Sequence, residues 1–151
     1  MIIENVMESC WTSDAERDKV LYDAIEESLG CFLNCELFIE EASTEQDERL
    51  LTAVRVFRRC AEVCHATAKA LMLWETRDHG ELQDVVGNCI LRCRELEFEF
   101  LQYPERYSTG DDENLSRAIK HRMRKCNGAV GTCIRACEAF LRDWFEVDLV
   151  E

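Results

Sequence analysis

The chain has 151 residues, of which 32% are charged, and a formal net charge of −13. This length is enough for one domain that buries its own apolar core. The acidic excess argues against nucleic acid and anionic membranes as partners, because both bind clustered lysine and arginine.

The composition favours a helical globular protein in a reducing compartment. One proline, six glycines and 47% hydrophobic residues are unlike a disordered chain. The first eight residues lack a basic segment, and no apolar run approaches the ~18 residues of a membrane span. We therefore expect no signal peptide, no membrane partner and a cytoplasmic location. There the ten cysteines stay free, which favours metal or redox chemistry.

The first half of the chain predicts a short N-terminal arm and two helices within a single domain, 1–151. Residues 1–12 form the arm, which contains Cys10. Ser13 and Glu16 match a capping box, so the first helix is predicted over about 14–42. The second is predicted over about 45–77.

The second half predicts two more helices. Gly80 is suited to a left-handed cap between the second and third helices. The third helix is predicted over about 81–103 and stops before Pro104. Asp111 or Asp112 is the expected cap of the fourth, over about 113–146. Four long helices with short connections predict an all-α, antiparallel up-down four-helix bundle.

Each predicted helix carries one Cys-x-x-x-Cys motif, and the fourth helix adds a further cysteine. Residues four apart lie on one face of an α-helix, so each motif directs two sulfurs the same way. The predicted turns place Cys31 level with Cys60, Cys64 with Cys93, and Cys93 with Cys126. We therefore predict one thiol layer at mid-height, between apolar regions of the core. The candidate metal ligands are Cys31, Cys35, Cys60, Cys64, Cys89, Cys93, Cys126, Cys133 and Cys137.

Glycines cluster near the same positions. Gly30, Gly87, Gly128 and Gly131 each lie within three residues of a cysteine. A glycine inside a helix costs about 1 kcal/mol relative to alanine. The clustering indicates that the core needs room or close helix approach at this level. The alternative is simple chance or tight helix packing.

The ligand chemistry leaves several interpretations of the thiol layer. An all-thiolate, histidine-poor core is typical of Cu(I), zinc or iron–sulfur clusters. Nine thiols exceed the four that one zinc ion takes. Cu(I) accepts two or three thiolates, and equal numbers of Cu(I) ions and thiolates bury no net charge. A [4Fe–4S] cluster for electron transfer or redox sensing, held by one cysteine from each helix, is the main alternative.

The remaining interpretations involve no metal. Free cysteines can pack as small hydrophobic residues in a structural or interaction bundle. Disulfides are disfavoured, because a bridge between residues four apart in one helix constrains almost nothing. His65 points about 100° away from Cys64 around the helix, which favours a boundary residue over a ligand. No catalytic motif is evident, so we predict that the protein is not an enzyme.

The stretch Arg59-Cys60-Ala61-Glu62-Val63-Cys64-His65-Ala66-Thr67-Ala68, followed by Cys89-Ile90-Leu91-Arg92-Cys93, resembles a known family. This is the cysteine-rich four-helix-bundle copper-binding family, the bacterial copper storage proteins and their relatives. The resemblance covers roughly 20–142. It implies a bundle whose core thiols bind Cu(I), storing copper or keeping it from other proteins. It also implies the eight cysteines of the Cys-x-x-x-Cys motifs as ligands, to which Cys126 can be added.

The chain departs from that family in the number of its cysteines. Family members usually carry cysteines along most of each helix, whereas the outer core positions here are apolar, such as Leu21, Phe57 and Phe140. One compact central cluster is therefore predicted instead of a high-capacity store. A homo-oligomer and a separate copper-delivery partner are both compatible with this pattern.

Overall fold

The computed structural model describes the backbone of residues 2–107 and 115–146, and the side chains of 15–101 and 115–146. In this part of the chain the protein is helical, with no β-strand, which confirms the predicted all-α class. None of its helices is both long and apolar enough to cross a lipid bilayer. The helices are α1 (Ile2–Glu45), α2 (Leu50–Met72), α3 (His79–Tyr107) and α4 (Arg117–Phe145), with a short 3-10 helix (Trp74–Thr76) after α2.

The four helices form the predicted antiparallel bundle. Helix α1 packs against α2 and α4, and α3 packs against the same two helices, so neighbours in space follow the chain order. Hydrogen bonds connect α1 to both ends of α4. In the last turn of α4, Trp144 Nε1 donates a hydrogen bond to the Arg17 carbonyl of α1 at 3.0 Å. At the start of α4, the Ser116 hydroxyl donates to the carboxylate of Glu45, the last residue of α1.

The core has apolar regions on both sides of the cysteines. On one side the rings of Phe38 and Phe57 stack with centroids 3.7 Å apart, and both side chains are fully buried. On the other side Phe140 packs against Trp144, with ring centroids 5.0 Å apart. The cysteines lie between these aromatic groups, on the helix faces that meet in the bundle interior.

The boundaries of the first helix and of the connection to α3 differ from the prediction. Helix α1 begins at Ile2, so the residues assigned to an N-terminal arm continue the first helix. The predicted start at Ser13 was wrong because serine and glutamate also fit a helix interior, and neither glycine nor proline interrupts the chain before Gly30. Gly80 is the second residue of α3, not a left-handed cap. Gln46 and Glu146 adopt the left-handed conformation, at the ends of α1 and α4.

The ends of the other helices differ as well. Helix α2 ends at Met72, and the 3-10 helix occupies the last residues predicted for it. Helix α3 continues through Pro104 to Tyr107, since a proline near the end of a helix removes only one backbone hydrogen bond. Helix α4 begins at Arg117, with Ser116 as its N-cap. The caps proposed for it, Asp111 and Asp112, lie outside the described residues.

Candidate metal centre

Nine cysteines lie side by side in the core as free thiols, and each is fully buried. Their Cys-x-x-x-Cys spacing places one pair on each helix, on the stripe that faces the bundle interior. These are the nine cysteines selected from the sequence. The side chain of Cys10 lies outside the described part of the chain.

One group of four thiols joins the first three helices. The Sγ atoms of Cys31, Cys60, Cys64 and Cys93 all lie within 4.8 Å of one another. Cys60 lies 3.9 Å from Cys31 and 3.9 Å from Cys64. Cys93 lies 3.8 Å from Cys60 and 3.8 Å from Cys64. The predicted levels of Cys31 with Cys60 and of Cys64 with Cys93 are therefore correct.

A second group of four thiols adds the fourth helix. It contains Cys64, Cys89, Cys93 and Cys133, again with all sulfurs within 4.8 Å. Cys89 lies 3.8 Å from Cys64 and 4.0 Å from Cys133, and Cys93 lies 3.8 Å from Cys133. Cys64 and Cys93 belong to both groups. Six thiols from all four helices thus form two adjacent four-sulfur groups, and the Cys64–Cys93 pair belongs to both.

Three further thiols flank these groups. Cys35 and Cys126 lie 3.3 Å apart between α1 and α4. The predicted pairing of Cys126 with Cys93 was wrong, because α4 starts later than predicted and brings Cys133 level with Cys93. The third flanking thiol, Cys137, lies one turn of α4 beyond Cys133.

Ser28 places a hydroxyl inside the thiol layer. Its side chain is fully buried, and its Oγ lies 3.8 Å from the Sγ atoms of both Cys133 and Cys137. The other hydroxyl buried in the described core, that of Thr67, instead donates to the Val63 carbonyl of its own helix at 2.7 Å. Sequence reasoning missed Ser28, although its position three residues before Cys31 puts it on the same helix face.

Contacts with neighbouring thiols, together with burial, raise the pKa values of two flanking thiols, Cys35 and Cys137. The adjacent Cys133 and Cys89 thiols, together with burial, raise the pKa of Cys137 well above its ordinary value. The hydrogen bond with Cys126, followed by the neighbouring Cys60 and burial, raises the pKa of Cys35. A metal ion entering this core must displace protons, because the thiolate is the ligand.

Histidines stand apart from the thiols in the described chain. His65 is half-buried and stacks on Phe32, with ring centroids 4.5 Å apart. His79 and His121 are exposed. None of the three belongs to either four-thiol group.

The glycines near the cysteines do not mark close helix contacts. A Cβ atom added at Gly30, Gly87 or Gly128 would meet no atom of another helix within 4 Å. One added at Gly131 would meet only the Arg135 side chain, at 3.4 Å. The interpretation that the helices need close approach or extra room at this level was wrong.

Comparison with known protein families identifies the chain. A family model described as copper storage protein matches residues 17–108. The match spans most of α1 through the end of α3 and includes three of the four Cys-x-x-x-Cys motifs. No curated protein and no solved structure matches the chain. Since the family model covers more than half of the sequence, the chain belongs to the copper storage protein family.

Proposed function

We propose that the protein sequesters or stores Cu(I) as a copper–thiolate cluster in the bundle core, and that it is not an enzyme. The observation that carries this proposal is the pair of buried four-thiol groups, which share two sulfurs, in a member of the copper storage family. The proposed ligands are Cys31, Cys35, Cys60, Cys64, Cys89, Cys93, Cys126, Cys133 and Cys137. A cytoplasmic location, where thiols stay reduced, belongs to the proposal.

Charge and coordination both favour Cu(I) as the stored ion. Thiolate is a soft ligand that selects Cu(I) over harder ions. Each added Cu(I) displaces one thiol proton, so a cluster with equal numbers of copper ions and thiolates stays neutral. A neutral cluster avoids the large free energy cost of an unpaired buried charge. The apolar side chains above and below the layer, including Phe38 and Phe140, confine this cluster to mid-height.

The compactness of the thiol groups argues against the iron–sulfur alternative. In a [4Fe–4S] protein four thiolates bind the outer corners of a cube that already contains four irons and four sulfides. Here four sulfurs lie within 4.8 Å of one another. That spacing leaves room for a single ion at the centre of each group, and helices would have to separate to admit a cube.

Anaerobic titration of the reduced chain with Cu(I), against a chromophoric Cu(I) chelator, tests the proposal. We expect several tightly bound Cu(I) ions per chain, up to about one per core thiol, with near-UV charge-transfer absorption and no visible colour. The double variant Cys60→Ala, Cys64→Ala removes two central thiols and should lower the stoichiometry. His65→Ala is the matched control on the same helix and should leave it unchanged.

Two results would contradict copper storage. One is the absence of Cu(I) uptake by a correctly folded, fully reduced chain. The other is a brown chromophore, with iron and sulfide present, in protein purified without oxygen, which would favour the iron–sulfur alternative.

A further inference from the structure

We propose that six of the core thiols also form a two-metal site for soft divalent ions, Zn²⁺ or Cd²⁺. In this site Cys64 and Cys93 bridge the two ions. Cys31 and Cys60 complete the coordination of one ion, and Cys89 and Cys133 that of the other. The site is defined by sulfur positions alone, so it does not depend on the proposed storage of copper.

The spacing of the sulfurs fits tetrahedral coordination. A Zn–S bond of about 2.3 Å gives a sulfur tetrahedron with edges of about 3.8 Å. In the first group four edges measure 3.8–3.9 Å. In the second group four edges measure 3.8–4.0 Å. The remaining edges do not exceed 4.8 Å, so each group needs only a small contraction to enclose one ion.

The shared edge accounts for the number of ligands. Two tetrahedral ions need eight sulfur positions, and six sulfurs supply them when two are shared. The nine core thiols were too many for one zinc ion, but the structure divides six of them into two complete coordination shells. The shared pair has one thiol on α2 and one on α3, and Cys31 of α1 and Cys133 of α4 occupy the outer positions. Binding of both ions would therefore connect all four helices.

The charge of this site differs from that of a copper cluster. Six thiolates with two divalent ions carry two net negative charges, and six protons leave to solvent. The Ser28 hydroxyl lies 3.8 Å from the Sγ atoms of both Cys133 and Cys137. It can therefore donate to a thiolate of the cluster, which strengthens the hydrogen bond. Cys35, Cys126 and Cys137 remain outside the site as neutral thiols.

Titration with Cd²⁺ tests the proposal directly, because bound Cd²⁺ gives sulfur-to-metal charge-transfer absorption in the ultraviolet. The reduced full chain is titrated without oxygen, and the released protons are measured in weak buffer. We expect saturation at two Cd²⁺ per chain with about three protons released per ion. Zn²⁺ should compete for the same two sites.

Serine variants distinguish bridging from outer thiols. Cys64→Ser and Cys93→Ser each remove a sulfur from both groups, so neither variant should retain a tight site. Cys31→Ser and Cys133→Ser should each leave one. Cys35→Ser is the matched control, since Cys35 is also a buried thiol of α1 but belongs to neither group, and it should keep two. Far-UV circular dichroism verifies that each variant is folded, and alanine replaces serine where it is not.

Several outcomes would overturn the two-metal site. These are saturation at any number other than two, an equal effect of Cys35→Ser and Cys64→Ser, and no distinction between Cys64→Ser and Cys31→Ser. The copper titration fails or succeeds separately. A chain that binds two Cd²⁺ but no Cu(I) supports this inference and contradicts the proposed storage function, and the reverse result does the opposite.

Discussion

Ser28 has a hydroxyl where the adjoining positions of the layer have sulfur. Serine and cysteine have similar shapes, so the position limits the number of soft ligands without disturbing the packing. The hydroxyl has two sulfurs as its partners. A hydrogen bond to a charged acceptor contributes about 1.5–3 kcal/mol. We infer that Ser28 donates its one hydroxyl proton to Cys133 or Cys137 and so stabilises that thiolate once metal has displaced its proton.

Replacement of Ser28 therefore alters metal binding more than folding. Ser28→Ala should lower the affinity for Cu(I) bound by Cys133 and Cys137 by about tenfold or more. This is the change in affinity expected from the loss of one hydrogen bond to a charged acceptor. Ser28→Cys should restore the affinity and raise capacity by about one Cu(I). Competition with a chromophoric chelator measures both quantities. Thr67→Val is the matched control, because the Thr67 hydroxyl bonds only within its own helix. Equal affinities for Ser28→Ala and the unmodified chain would contradict this role.

For individual residues, the sequence predicted the positions of the core cysteines but not the role of Ser28 beside them. The four-residue spacing selects thiols on one helix face, and the bundle brings all nine together because each face must turn inward. The position of Ser28 is visible in the same periodicity. Its role is not, since a serine in a helix is usually exposed or bonded to its own backbone, and only the packing of α4 onto α1 shows that this one meets sulfur.

The junction between α1 and α4 depends on Ser116, which acts on two helices. Its Oγ accepts a hydrogen bond from the Ile119 amide at 3.1 Å and so caps α4. Its hydroxyl donates to Glu45 in the last turn of α1. The loss of an N-cap side chain costs about 1 kcal/mol on average. The hydrogen bond to Glu45 thus also holds the start of α4 against the end of α1, in the alignment that places Cys126 beside Cys35.

We expect Ser116→Ala to lower the free energy of unfolding of the reduced, metal-free chain by about 1–2 kcal/mol, while the metal stoichiometry stays the same. Urea unfolding followed by circular dichroism measures the change. Ser43→Ala is the control, because that hydroxyl is exposed and donates to the Glu40 carbonyl within α1. A stability equal to that of the control would show that the cap contributes nothing.

Helix existence was more predictable than helix ends. The apolar periodicity of each helix extends over many turns, so it identifies all four. Each end depends on a few local residues whose signals compete. The Ser13–Glu16 box indicated a start that the continuing helix overrides, and Pro104 indicated a stop that α3 passes. The true cap of α4, Ser116, competes in sequence with two aspartates a few residues earlier.

Across the whole molecule, the metal-free core must be stable with protonated thiols at Cys35 and Cys137, whose pKa values the fold raises. The bundle fold follows from four amphipathic helices and short connections, so the sequence predicts it well. The two overlapping four-thiol groups do not follow from periodicity, because the α3–α4 register decides whether Cys126 or Cys133 meets Cys93. Because these two thiols stay protonated in the folded apoprotein, its stability depends on pH.

The metal-free chain should lose stability as the pH rises above the ordinary thiol pKa of about 8.5. The pKa values of Cys35 and Cys137 are raised in the fold. Above pH 8.5 the unfolded chain therefore binds fewer protons than the folded chain, and the free energy of unfolding falls with increasing pH. Each such thiol contributes about 1.4 kcal/mol per pH unit. Below that pH this contribution is fully present.

Urea unfolding of the reduced apoprotein between pH 7 and pH 10 measures the slope. Cys137→Ala removes one protonated thiol, so its slope should be shallower by about 1.4 kcal/mol per pH unit, whatever its absolute stability. Val130→Ala, another buried position on α4, is the control for lost volume and should retain the full slope. The metal-loaded chain should show the opposite trend at low pH, since protons compete with metal for thiolates. An apoprotein slope that Cys137→Ala leaves unchanged would mean that this thiol ionises within the folded core.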